Sequence, residues 1–215
     1  MRGFIRGVAT LLVVSSAAAG CTSEKAGEKG RAMLSSADLS EALLTGEHSG
    51  FTVSPQREPL LEDVDVVTAA DPACQPLADL RSVKPEHEAT GTAWATLEPR
   101  NGTAGGSVVL TSFATGEAKS WMGELKAALT TCKDLAASSQ RGWSERGTLV
   151  ALPSVGVGDE SVSYSITSDQ VPDRRQIMTV VRTGGSLAVY LTPPDEDQPP
   201  ASLMERQHEK LEAAG

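Results

Sequence analysis

The sequence predicts one α+β domain over residues 36–215: an antiparallel β-sheet with helices packed on one face. Three observations lead there. Strand-like runs come in neighbouring pairs joined by turn residues, most plainly residues 176–183 and 186–192 on either side of Gly184-Gly185, a two-residue hairpin signal. One long amphipathic helical pattern separates two groups of strands, whereas a parallel α/β fold alternates strand and helix one by one. No internal repeat is present, and the chain beyond residue 35 has the length of one ordinary domain, ~100–200 residues. Aromatic residues make up only 4% of the chain, so the core must rest on Val, Leu and Ala.

The elements follow in order. Residues 36–45 read as a helix capped by Ser36, with Leu39, Leu43 and Leu44 at helical spacing and Gly46 and Gly50 beyond its end. Phe51-Thr52-Val53 is a short strand stopped by Pro55, and residues 59–68 read as a strand or an irregular packed segment. Asp71 caps a short second helix with Pro72 at its first position, where a missing N–H costs nothing; Cys74, Leu77 and Leu80 share its inner face and it ends near Arg81. Residues 90–97 alternate, with Thr92, Trp94 and Thr96 on one face and Ala93, Ala95 and Leu97 on the other. They pair as a hairpin with residues 107–115. The longest helix covers residues 117–137, with Trp121, Leu125, Ala128, Leu129 and Cys132 on one stripe and Leu135 and Ala136 extending it. Residues 148–152 form a strand ended by Pro153, residues 156–160 a turn, and residues 161–167 a strand. The terminal hairpin follows, then a proline-rich polar break at residues 193–200. A last helix at residues 201–213 sets Leu203, Met204, Gln207 and Leu211 on one face.

Ahead of this domain the sequence predicts an export leader over residues 1–20. Arg2 and Arg6 precede any acid, a short apolar run is centred on Leu11-Leu12-Val13-Val14, and small residues end in Ala18-Ala19-Gly20-Cys21. The apolar run falls well short of the ~20 residues that a membrane-spanning helix needs. The ending resembles the bacterial lipobox, with Ala18 where Leu is more usual. It predicts cleavage before Cys21 and lipid on its thiol, which would anchor the protein on the outer face of the cell membrane. An ordinary cleaved signal with an incidental cysteine is the alternative. Residues 21–35, polar and glycine-containing at their start, read as a flexible tether.

Cys74 and Cys132 are the two cysteines that remain. An even remainder in an oxidising compartment predicts one disulfide between them, the alternative being two free buried thiols. The formal charge of the whole chain is −9; the leader holds two arginines and no acid, so its loss leaves the remainder more acidic still. Such a charge argues against nucleic-acid binding.

No catalytic signature is present. The histidines, His48, His87 and His208, fall in predicted loops or on an exposed helix face, and neither Gly-x-Ser-x-Gly nor His-Glu-x-x-His occurs. Pro85-Glu86-His87-Glu88 reads as a solvated turn rather than a metal site, and Asp195-Glu196-Asp197 lacks the glycine and spaced oxygens of a calcium loop. No cofactor or metal is expected. Asn101-Gly102-Thr103 is a glycosylation sequon with no expected use. Asp159-Glu160 reads as a turn cap before a strand, with cation binding as the alternative. Trp121 belongs to the core by its helical stripe. Trp94 shares its face with threonines, which makes it the first candidate for contact with a ligand; Trp143 is a further candidate for lining a cleft.

The ordered set of features resembles the extracellular sensor domain of the PknH-type membrane serine/threonine kinases of actinobacteria, and lipoproteins carrying that domain alone. The features are Cys74 with Leu77 and Leu80, a strand ending in Phe113, a long helix with Trp121 and Cys132, Gly158-Asp159-Glu160-Ser161 before a strand, and the Val181-Arg182-Thr183-Gly184-Gly185 hairpin. The resemblance covers roughly residues 39–211. It implies an antiparallel sheet with packed helices, a cleft, a ligand-sensing role and no enzyme activity. The kinase sensor domains tend to carry four cysteines in two bridges; here only one bridge can form. The expected function is therefore a non-enzymatic lipoprotein that binds or senses a small molecule or a piece of envelope, signalling, if it does, through a membrane-protein partner. The alternative is a structural lipoprotein that docks an envelope protein or the cell wall.

Overall fold

A computed structural model describes residues 33–58, 66–82, 85–100, 105–171, 174–192 and 197–215. The leader, Cys21, the tether up to residue 32, most of the ambiguous segment at residues 59–68, the sequon, and Asp195 and Glu196 lie outside the described residues. Those that are described form ten strands and four helices, with all strand pairings antiparallel. The α+β expectation holds.

The chain enters through α1 (Ser36–Ala42), whose cap is Ser35 rather than Ser36. Asp38 at the third helical position decides this: its carboxylate accepts from the backbone N–H of Ser35 at 2.9 Å while the Ser35 hydroxyl accepts from the Asp38 N–H, a reciprocal capping box. Strands β1 (Gly46–His48) and β2 (Phe51–Gln56) form a hairpin. Strand β2 runs through Pro55, where a stop was expected. Pairing with β1 ends at Val53, so Pro55 pairs only with Ala95 of β4 and its missing N–H is tolerated at an edge. After β3 (Val67–Ala69), a 3₁₀ turn (Pro72–Cys74) capped by Asp71 leads into α2 (Gln75–Asp79). Then come β4 (Ala89–Pro99), β5 (Gly106–Phe113), α3 (Glu117–Thr131), β6 (Asp134–Ser139), β7 (Ser144–Leu152), β8 (Glu160–Ser168), β9 (Arg175–Thr183), β10 (Ser186–Leu191) and α4 (Ala201–Ala214).

Helix α3 is shorter than its sequence pattern predicted. Cys132 is already extended, at φ −77° and ψ 108°, and the following residues pair with β7 as β6. Leu135 and Ala137, two apart, are the buried residues there, so the apolar period changes from helical to alternating at the cysteine. Cys74 and Cys132 are joined by a disulfide, their Cα atoms 5.4 Å apart. It ties the start of α2 to the end of α3.

The sheet order is β1-β2-β4-β5-β10-β9-β8-β7-β6-β3. Helices cover both of its faces, not one. In β10, Leu187 and Val189 enter the core beneath α2 and α3, with Trp121, Met122 and Leu125. The alternate residues Ala188 and Tyr190 enter a second core with Leu39 and Leu43 of α1 and Leu203, Met204 and Leu211 of α4. Because alternate side chains point to opposite faces, each inner strand feeds both cores, and β8, β9 and β10 are buried almost continuously. Close approach on the α1 face requires Gly91: a Cβ there would stand 2.7 Å from the backbone of Leu34, Ser35 and Ser36.

Candidate functional site

On the face that carries α2 and α3, the sheet extends beyond the helices and forms a cavity of about 390 Å³. Its floor is apolar: Val109 of β5, Val189 and Leu191 of β10, and Met178 of β9. Leu80 and Arg81, just past α2, and Val67 of β3 make one wall. Ser139, Arg141 and Trp143, at the β6–β7 turn, make another, and Ser107 and Gln176 complete the lining. Strands β5 and β6 stand five places apart in the sheet, about 24 Å at a spacing of ~4.8 Å. Both line one cavity only because the sheet curls, as a twisted sheet of this many strands does.

The polar lining is ordered by Arg81. Its guanidinium donates to Glu145 Oε2 at 2.6 Å, to the side-chain oxygen of Gln176, and to Met178 Sδ at 3.7 Å. Met178 Sδ also accepts from the buried Tyr164 hydroxyl at 3.1 Å, and burial raises the Tyr164 pKa well above the phenolic range. The Ser139 hydroxyl oxygen is buried and has no hydrogen-bond partner among the described residues. Trp143 is 39% exposed at the cavity wall.

A second cluster surrounds His87. The sequence placed this residue in a solvated turn; it is in fact buried, 6% exposed. Its Nδ1 lies 2.6 Å from Glu117 Oε2 and its Nε2 2.9 Å from Glu124 Oε2, while the ring stacks on Trp121 with centroids 5.5 Å apart. Ionised carboxylates only accept, so both nitrogens donate only when the ring is an imidazolium, which the indole face also favours. Burial alone would lower its pKa, but the bonds to Glu124 and Glu117 outweigh burial and the net shift is upward. Glu117, Trp121 and Glu124 lie on one stripe of α3 at i, i+4 and i+7. That stripe was legible in the sequence; its partner, 30 residues away, was not. Both nitrogens are occupied and the carboxylates flank opposite sides of the ring, so the cluster is a clasp between α3 and the segment leading into β4.

The clasp predicts a pH dependence. A histidine with a raised folded pKa gives its full stabilisation below the unfolded value, ~6.5, and loses it as pH rises through the folded value. Urea denaturation at about pH 6 and about pH 9 should show a fall in stability that is smaller in His87→Gln. An equal fall in both proteins would mean that the clasp carries no proton linkage.

The other sequence candidates resolve as follows. Trp94 is half-buried, and its indole N–H donates to the Glu58 carbonyl at 2.6 Å. It pairs across the sheet with Val109 of the cavity floor but is not itself a lining residue; Trp143 is. Trp121 is core. Asp159 accepts from the Gly184 N–H at 2.7 Å and ion-pairs with Arg182. Glu160 meets Lys126 and Arg182, and the Lys126 ammonium above all holds its carboxyl below the usual range. The cations facing this pair belong to the protein itself. His48 and His208 bond to the Thr45 carbonyl and the Thr183 hydroxyl. Among the described residues no group of three or more His, Cys, Asp and Glu is gathered to hold a metal ion, and no helix is long and apolar enough to cross a membrane.

Comparison with known structures finds this architecture elsewhere. The chain is similar to the extracellular domain of PknH from Mycobacterium tuberculosis, with a TM-score of 0.58 over 86% of this chain and 97% of that one, at 12% identity. The fold is thus that of the PknH extracellular domain, as the sequence features implied. An uncharacterised protein from Mycobacterium smegmatis, the Rv0999 ortholog, aligns over 78% of this chain and 88% of its own at 18% identity, with a TM-score of 0.38. No protein-family model and no curated protein matches the chain.

Proposed function

We propose that this chain is a non-catalytic binding or sensing domain, displayed on the outer face of the cell membrane and anchored there by lipid on Cys21. The cavity carries this reading. Its volume lies in the range of small-molecule sites, ~300–1,000 Å³, and an apolar floor with a few convergent polar groups is the make-up of such sites. Its walls come from separate elements, α2, β3 and the β6–β7 turn, all set around a rigid sheet. A hydrolytic reading has little to use: the one buried histidine has both nitrogens engaged by carboxylates, away from the cavity lining.

Location outside the cell is supported by three separate features. These are the basic-then-apolar leader ending at Cys21, a disulfide of the kind that persists in oxidising compartments, and a fold shared with a domain described as extracellular. Any signal would pass to a partner protein in the membrane.

Native mass spectrometry of the protein purified from its own host tests the binding role. A bound small molecule retained by the protein and lost in Val109→Trp, which fills the floor, is the expected result. The same adduct on both proteins, or none on either, would overturn it. Incorporation of an alkyne-tagged fatty acid, abolished by Cys21→Ser, tests the anchor.

A further inference from the structure

We infer that the cavity takes an anionic amphiphile: an apolar chain on the Val109–Met178–Val189–Leu191 floor and an acidic head group against the arginine side. This deepens the reading of the same cavity as a ligand site and rests on it. Three observations carry it. First, the chain has a formal charge of −9, yet the cavity lining contains two arginines, Arg81 and Arg141, and no carboxylate. The nearest acid in this network, Glu145, is bound by Arg81 and does not line the cavity. In an otherwise acidic molecule, that contrast makes the cavity the place where an anion is least opposed.

Second, the polar groups of the lining have their donors to offer. Arg81 carries five N–H groups and no acceptor. The side-chain oxygen of Gln176 is engaged by Arg81, so its amide N–H groups are what it offers. The Ser139 hydroxyl is buried without a partner among the described residues and supplies another. A carboxylate or phosphate accepts several such bonds, and charge-assisted ones are roughly twice as strong as neutral ones. A cation or a donor-rich sugar would face donors with donors.

Third, the apolar surface is continuous. Val109, Val189, Leu191 and Met178 come from three adjacent strands, β5-β10-β9, so the floor is a strip across the sheet and suits an extended chain. Trp143, at the wall, supplies a flat face where chain meets head group.

The test uses the full chain carrying Cys21→Ser, which removes the acyl acceptor and keeps detergent out of the assay. Decanoate, decyl phosphate, decanol and decyltrimethylammonium are titrated by calorimetry, with methyl-labelled methionine reporting the Met178 signal. Binding of decanoate or decyl phosphate at least about tenfold tighter than decanol, with decyltrimethylammonium weakest, is expected for one charge-assisted head-group contact. The better of the two anions tells a carboxylate-headed from a phosphate-headed natural ligand. Arg141→Glu, on an exposed turn, should remove most of that preference and leave decanol within about twofold. Equal binding of all four would overturn the acidic head group while leaving the cavity a ligand site. Binding that leaves the Met178 signal unmoved would overturn the location. No binding by any of the four would overturn the amphiphile outright; the reading of the cavity as a ligand site then stands or falls on the retained adduct seen by mass spectrometry.

Discussion

Replacing Cys74 and Cys132 together by alanine should lower the stability of this protein by about 4 kcal/mol, the chain-entropy estimate for a crosslink of this loop length. The bridge spans 58 residues of sequence, and its loss frees the unfolded chain far more than the folded one. The folded state changes too, but locally. Helix α2 has five residues, too few to hold a helix by itself, and the bridge fixes its start to the end of α3. Leu80 and Arg81, which wall the cavity, follow directly. Urea denaturation should therefore show a lower midpoint, and hydrogen exchange should accelerate first around residues 72–82. A loss under about 1 kcal/mol would mean that core packing, not the crosslink, holds α2 in place. Reduction of the wild-type protein should reproduce the variant.

Gly158→Ala should be nearly as damaging, with a loss of roughly 3 kcal/mol, because it combines backbone strain with a collision. Gly158 has φ +73°, and a Cβ there would stand 2.5 Å from the Arg182 carbonyl oxygen and 2.6 Å from Val181 Cγ1. That carbonyl is not free to retreat: it accepts the Asp159 N–H at 2.9 Å, while Asp159 itself caps Gly184. Gly156→Ala is the control. Its φ is +69° with nothing within 4 Å of the added Cβ, so it should lose only the conformational part, about 1 kcal/mol. Thermal or urea unfolding of the pair separates the two contributions. Equal losses would mean that the turn moves to admit the methyl group.

Much of the sheet was legible in the sequence. The hairpin at Gly184-Gly185, the β4–β5 pair, the caps at Asp71 and Pro72, and the buried face of α4 all rest on interactions between near neighbours, which leave a local period or a turn residue. The misreadings have one cause. Leu135 fits a helical stripe continued from Cys132 as well as it fits the first inward position of β6, and only the pairing with β7 chooses between them. Likewise Val181, Ala188 and Tyr190 looked like the outward sides of their strands, because nothing nearby shows that α1 and α4 cover that face. The cavity was the least legible. Arg81 and Gln176, which order its polar side, are 95 residues apart. His87, surrounded by acids in sequence, finds its partners on another helix.

By itself the sequence determined the antiparallel α+β class, the order of most elements, the export leader and the pairing of the two remaining cysteines. Each follows from composition, period or count along one stretch of chain. Tertiary structure alone decided that both faces of the sheet are covered, that α3 stops at the disulfide, and that a curled sheet gathers β5, β10, β9 and the β6–β7 turn around one cavity with an arginine side. Those features depend on which surfaces meet across long separations. Burial energy is indifferent to sequence distance, so no local pattern records it.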